Sequence, residues 1–349
     1  MRLEPRENTP AWMVVSAPVI AILVSLVFSA GLILWAGAPL GGAAVALAKG
    51  AFGSVYAVTE TLTRATPIML TGLAAAVAFR ARFWNIGAEG QLYCGALAAT
   101  WLGTGAVVMH PALMIPFLFL IGALGGGLAL LLPVVLKSKL KVDEVVTTLL
   151  LNFIILLFVG YLLDGPWKDP MSMGWPQAEP IIDEGVLPAA SPRYRVHLGL
   201  IVALLSAVAV WFTMRYTVWG YEIRAVGHNP EGARFAGISI NMTVLRVAMI
   251  SGGLAGMAGV SEVAGTKGYL THEFSPGFGY TGIAVAMLAN LHPLGVILSA
   301  LFMAGIFVGA DSMGRAMNIP TYIADVMVAL AMLCMLVSLM LTQYRLKLR

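Results

Sequence analysis

Apolar residues along this chain fall into long blocks separated by short polar stretches. Ten blocks approach the roughly 20 residues that a helix needs to cross about 30 Å of hydrocarbon: 12–36, 59–79, 89–108, 112–136, 145–163, 197–214, 241–262, 279–291, 294–311 and 321–343. The pattern predicts an all-α, polytopic membrane protein with about ten transmembrane helices. Arg2 and Arg6 precede the first block as in a signal peptide, but the block runs to Trp35 without a small-x-small cleavage site. A signal core is only about 7–15 residues, so the block is expected to be a retained anchor. Two places resist a simple crossing. Segment 279–291 is short and ends at His292-Pro293, which suits a half-span or broken helix. Segment 38–58 is rich in Gly and Ala with Lys49 in its middle, which suits an interfacial or partly re-entrant helix. Glycines at 122, 125, 126 and 127, and at 252, 253, 256 and 259, are expected to let helix backbones approach closely.

Composition agrees. Of 349 residues, 59% are AVILMFWYC and 11% are charged, with mean hydropathy +0.88. A soluble domain carries about 25% charge, so a soluble enzyme, a disordered regulator and a nucleic-acid binder are excluded. The net charge of +4 reports topology. With both ends inside, Arg2, Arg6, Arg80, Arg82, Lys137, Lys139, Lys141, Arg215, Arg224, Arg234, Arg246, Arg345, Lys347 and Arg349 fall on the inner side. Half as many, Lys49, Arg64, Lys168, Arg193, Arg195, Lys267 and Arg315, fall outside. Cys94 and Cys334 stand alone in apolar runs and define neither a disulfide framework nor a metal site. The whole chain, 1–349, reads as one membrane domain with 1–11 as an inner tail.

Two stretches lie outside the membrane. Residues 164–196, outside, hold six prolines with Trp167 and Trp175; they suit either a lid or docking surface, or an interfacial loop anchored by its tryptophans. Residues 216–240, inside, contain Asn229 as an N-cap, Pro230 at the first helical position, Glu231 in the first turn and Gly237 as a left-handed stop. That predicts a two-turn helix from Pro230 to Ala236. A helix so short is unstable alone in water and must be held by the chain's own membrane end or by a second protein.

Chemistry is sparse. The chain has no phosphate-binding G-x-x-x-x-G-K-[ST] loop, its five histidines are scattered, and His272-Glu273 lacks the second His of a zinc helix. Neither a metal nor a catalytic group is expected. Polar residues at membrane depth are functional candidates, and the densest cluster is Asn85-Ile-Gly-Ala-Glu-Gly-Gln91. Asn85, Glu89 and Gln91 could line a substrate path, their amides matching sugar hydroxyls or a base edge. Equally, the cluster could be a structural turn in which Glu89 pairs with Arg80 or Arg82. Asn152 and Asn290, each read inside an apolar helix, rank second, with interhelical bonding as the plainer reading. Glu60 and Arg64 have i,i+4 spacing and are expected to neutralise each other; Asp325 sits near an interface.

RFWNIGAEGQLYCGALAA (82–99), AVGHNPEGARFAGI (225–238) and GIAVAMLANLHPLGVILSALF (282–302) resemble, in this order, blocks of the integral-membrane permeases of bacterial ABC importers for nucleosides and simple sugars. These belong to a wider group that also serves branched-chain amino acids. The resemblance runs from about residue 60 to 340, and the extended outer segment resembles the larger of two permeases in a nucleoside system. It implies a type II ABC importer permease fold and a non-enzymatic transport subunit of the bacterial inner membrane, with both termini cytoplasmic. The implied partners are a cytoplasmic ABC ATPase that binds ATP-Mg, a second and paralogous permease, a periplasmic or lipoprotein substrate-binding protein, and membrane lipid. The implied coupling helix comprises Gly227, Asn229, Pro230, Glu231, Ala233, Arg234 and Gly237. The implied cargo is a nucleoside, purine-type, with a simple sugar or branched-chain amino acid as the alternative. Tyr93 and Cys94 are bulky for this motif and bear on substrate preference. A gradient-driven secondary transporter is the rival of another class; it would need a buried carboxylate relay, for which only Glu89 offers a start.

Overall fold

A computed structural model describes residues 2–5, 10–191 and 193–347. Each of the ten apolar blocks is helical within thirteen helices: α1 (Ala11–Trp35), α2 (Leu40–Phe52), α3 (Val55–Arg80), α4 (Ala88–Trp101), α5 (Pro111–Leu140), α6 (Glu144–Asp164), α7 (Gly199–Tyr216), α8 (Val218–His228), α9 (Pro230–Phe235), α10 (Ile240–Ser261), α11 (Phe278–Leu288), α12 (Pro293–Met317) and α13 (Thr321–Gln343). Among the described residues, α3, α5, α6, α7, α10 with its terminal turn, and α12 are each long and apolar enough to cross a bilayer; the bent pair α1–α2 makes a seventh. α2 turns from α1 at 118°, a break that makes the pair either one broken span or a re-entrant loop. α11 has 11 residues, about 16 Å at 1.5 Å per residue, and is a half-span.

The chain divides into two compact units. One combines the two ends of the chain, up to Thr61 and from Leu301 on. Its core is Ile33, Ala38, Ala43, Met313, Ile319 and Met327. Strand β1 (Arg2–Pro5) pairs antiparallel with β4 (Tyr344–Lys347), Arg2 facing Lys347. The two described ends of the chain therefore lie side by side.

The other unit, Leu62–Ala300, is centred on α4, α5 and α10, which touch through glycine. A Cβ on Gly256 would fall 2.0 Å from the Gly122 carbonyl oxygen, one on Gly95 2.1 Å from that of Gly256, and one on Gly259 2.0 Å from that of Leu92. Lipid provides no hydrophobic force between helices, so such backbone contact is what dispersion can hold together. α4 and α10 each end in a π-helical turn, Leu102–Ala106 and Glu262–Lys267. Gly105 at φ +99° lies within the first of these turns and Gly268 at φ +82° caps the second.

The Pro-rich segment 164–196 is tied to these two ends. Ala178 N–H donates to Leu270 O, Ile181 to Gly268 O, Ile182 to Gly103 O and Leu187 to Ala264 O, all at 2.8–2.9 Å. Its hairpin, β2 (Ala189–Ser191) with β3 (Tyr194–His197), closes on a buried histidine. Gly199 N–H donates to His197 Nδ1 at 3.1 Å. The other ring nitrogen then carries the proton and donates to Thr266 Oγ1 at 3.3 Å. Thr266 in turn donates to the buried Glu262 at 3.3 Å. The span expected over 197–214 accordingly begins at Gly199, with His197 outside it.

Gly256→Val should destabilise the purified chain in detergent by about 3 kcal/mol or more, at the upper end of overpacking costs. Gly31→Ala, which meets nothing within 4 Å, should leave the melting temperature unchanged. Equal melting of the two variants would refute backbone contact at Gly256.

Candidate functional site

Between α3 and α4 the chain turns through residues 81–87 without helix, beginning at Arg82 with φ +52°. Phe83, Asn85 and Gly87 on this turn are buried. Its backbone groups must then find partners inside the protein. α6 supplies them. Glu144, Thr148 and Asn152 lie at i, i+4 and i+8, one stripe of a helix, and all three are buried. Glu144 Oε1 accepts from Trp84 N–H at 3.4 Å, Thr148 Oγ1 from Ile86 N–H at 3.2 Å, and Asn152 Oδ1 from Gly90 N–H at 2.8 Å. Asn152 Nδ2 donates back to Ile86 O at 2.9 Å and to Tyr280 Oη at 3.1 Å. The stripe is anchored where α6 begins: Asp143 caps Val145 N–H at 2.7 Å, and Lys137 forms an ion pair with Glu144.

The cluster singled out in the sequence closes on itself. Asn85 and Gln91 exchange amide hydrogen bonds of 2.8 and 2.9 Å. Asn85 Nδ2 also donates to Ser251 Oγ on α10 at 3.0 Å, and Ser251 donates to Ala74 O on α3 at 2.7 Å. Glu89 is not paired with Arg80 or Arg82. Its Oε2 accepts from Gly279 N–H at 2.6 Å in the first turn of α11, where a helix N-terminus favours an anion. Ser275 bonds Glu89 and also accepts from Phe278 N–H at 3.0 Å. Tyr93 donates to His272 O at 3.0 Å and stacks edge-on against Phe274, so the bulky residue after the motif anchors the loop before α11.

Asn85, Glu89, Gln91 and Asn152 are thus brought to one region, all buried and each hydrogen-bonded, with Asn85 and Gln91 paired to each other and Glu89 and Asn152 each bonded to α11. Asn290 is apart from them. It is exposed in the turn after α11, not inside a helix, at φ +49°, a left-handed conformation Asn tolerates. Glu144, Thr148, Ser251 and Tyr280 were not singled out from the sequence. The 144-148-152 spacing in an apolar block was the available signal for two of them.

Residues 216–240 hold two helices where one was expected. α8 begins at Thr217, whose hydroxyl caps Gly220 N–H at 3.3 Å, and turns Gly220, Ile223, Val226 and Gly227 inward. Gly227 belongs to α8: a Cβ there would lie 2.0 Å from Arg80 O. α9 follows as its capping residues predict. Asn229 Oδ1 accepts from Gly232 N–H at 3.0 Å, Pro230 opens the helix, and Gly237 ends it at φ +82°. Ala233 is its buried face, held against α8 and α10, while Glu231, Arg234 and Phe235 are exposed, Phe235 by 96%.

At the opposite end a small hollow of about 170 Å³ is lined by Thr100, Trp101, Thr104, Trp167, Lys168 and Glu179. The Thr100 hydroxyl is buried there without a hydrogen-bond partner.

Residues 57–336 match the family described as the branched-chain amino acid transport system, permease component. The chain is 36% identical to the guanosine ABC transporter permease of Bacillus subtilis, over 90% of this chain and 91% of that one. It is 34% identical to the glucose ABC transporter permease of Haloferax volcanii, over 99% and 93%, and 30% identical to a nucleoside ABC transporter permease of Lactococcus lactis, over 80% and 79%. The solved structure of PsaBC from Streptococcus pneumoniae in complex with Fab shares the fold, with TM-score 0.50 and 11% identity over 84% of this chain and 94% of that one.

Asn152→Leu leaves the Gly90 N–H and the Ile86 carbonyl buried and unpaired, at about 1–3 kcal/mol each. Thr148→Val orphans Ile86 N–H alone. Thermal melts should therefore rank wild type above Thr148→Val above Asn152→Leu. Wild-type melting of Asn152→Leu would show that α6 does not hold this turn.

Proposed function

We propose a nucleoside as the cargo of this chain, which belongs to the branched-chain amino acid transport system permease-component family and is the multi-pass membrane subunit of an ABC transporter. The cargo rests on the guanosine and nucleoside permeases among its relatives; the glucose permease supports a sugar as the second reading. The hollow with Trp101, Trp167 and the unpaired Thr100 hydroxyl favours a ligand with a planar face and polar edges, which a nucleoside has in its base. Membership of the family leaves no role for the gradient-driven alternative.

The observation that carries the mechanism is α9. It is too short to persist unaided, is capped at both ends, and presents Glu231, Arg234 and Phe235 outward. We assign it to the groove of a cytoplasmic ATPase, with Gly227 in α8 fastening its support to α3. The chain itself carries no nucleotide; ATP-Mg belongs to that ATPase. A substrate-binding protein delivers cargo on the far side, and a paralogous second permease completes the path. Both termini are then cytoplasmic, in the inner membrane.

Asn85, Glu89, Gln91 and Asn152 form the wall of that path. In the present conformation the Glu89–α11 contact is closed, and parting α11 from α4 would expose the amides. ATP binding shifts the balance between two such conformations by its differential affinity for them. High-affinity recognition rests with the external protein, since a tight site in the path would trap cargo.

Arg234→Glu combined with Gly237→Val reverses a surface charge and strains the left-handed stop. In cells also producing the partner ATPase, uptake of labelled guanosine should fall at least about tenfold while the chain remains in the membrane. Undiminished uptake would remove α9 from coupling, and competition by glucose but not guanosine would favour the sugar reading.

A further inference from the structure

On the side that carries α9, a cavity of about 460 Å³ opens among the ends of four helices. It is lined by Arg80 at the end of α3, Trp211, Met214 and Arg215 at the end of α7, Arg224 on α8, and His292-Pro293 at the start of α12. Three guanidiniums meet there with no carboxylate in the lining. Arg80 is fixed by donating Nε–H to Leu291 O at 3.3 Å, and the close approach of Gly227 to Arg80 O brings Arg224, one turn earlier on α8, alongside. Arg80 and Arg224 repel each other. Glu222, the single acid on α8, is already taken by Arg246 at 2.7 Å. Among the described residues, none of the three arginines is paired with a carboxylate. Such a grouping is stable when an anion joins it, and bidentate donors suit a phosphate.

The surroundings indicate which phosphate. α7 exposes Ile201, Leu205, Val208 and Phe212 at helical spacing, a stripe running down to the cavity mouth. Trp211 and Tyr216 meet edge-to-face at 5.4 Å where that stripe ends, as aromatic residues do at headgroup level. We propose that this cavity binds the phosphate of an anionic phospholipid headgroup, with the acyl chains lying along the α7 stripe. Basic pockets between membrane helices are suited to such headgroups. A soluble phosphate would use the same arginines but not the stripe.

The test uses the full chain, stripped of lipid in neutral detergent, titrated with dioleoyl phosphatidylglycerol or dioleoyl phosphatidylcholine and read by thermal shift and native mass spectrometry. Phosphatidylglycerol should bind and stabilise, and phosphatidylcholine should not. At about fivefold per arginine near a lipid surface, Arg215→Gln should weaken binding about fivefold and Arg215→Gln with Arg224→Gln about thirtyfold. Lys139→Gln with Lys141→Gln removes equal charge elsewhere and should change nothing. Melting without added lipid reports whether each variant is folded, and Arg215, being exposed, gives a variant that keeps the fold. Equal phosphatidylglycerol affinity in the double variant and wild type would overturn the proposal. So would protection by millimolar inorganic phosphate equal to that of the lipid, which would assign the cavity to a soluble anion. Unchanged lipid binding with lost co-purification of the ATPase would overturn it in favour of a protein contact.

Discussion

Backbone amide and carbonyl groups that leave a helix and are buried have no water to bond, and each unsatisfied group costs several kcal/mol. Residues 81–87 are such a stretch, and the structure meets the cost with side chains of a single neighbouring helix. Glu144, Thr148 and Asn152 stand one turn apart on α6 and take the N–H groups of Trp84, Ile86 and Gly90 in order. That ladder fixes where α4 begins. It therefore fixes Glu89, which holds the N-terminus of α11, and Asn85, which reaches α10 and α3 through Ser251. Four membrane elements are registered against one turn of irregular chain.

Glycine makes that registration possible. A network of short hydrogen bonds tolerates little slack, and α4 can sit against α5 and α10 only because Gly95, Gly122, Gly256 and Gly259 present backbone to backbone. On their other faces, α5, α6 and α7 leave apolar side chains exposed. The same economy operates at the other end of the bundle, where the broken ends of α4 and α10 are stitched by backbone bonds from 178–187. The long Pro-rich segment is thus bonded structure at its root, with Trp175 exposed beyond it.

Local signals were legible in the chain and distant ones were not. α9 could be read because Asn229, Pro230 and Gly237 each act within a few residues of themselves. The half-span α11 and the bent-off α2 could be read from length and composition. α8 was missed because Glu222 and Arg224 interrupt its apolar pattern, and its inward face relies on glycines that carry little hydrophobic signal. Asn290 looked like a buried amide because the apolar run continues on both sides; only the left-handed turn places it outside. Asn85, Glu89 and Gln91 were visible as an unusual cluster, but whether they face a path or one another depends on Ser251, Asn152 and Gly279, all more than 60 residues away.

Amide hydrogen exchange of the wild-type chain in lipid nanodiscs tests the ladder most directly. If α6 satisfies the irregular turn, the amides of Ile86 and Gly90 will exchange as slowly as those inside α6 itself. Exchange at the rate of the exposed stretch around Met171 and Met173 would mean that the turn is held by something other than Glu144, Thr148 and Asn152, and the account would fail.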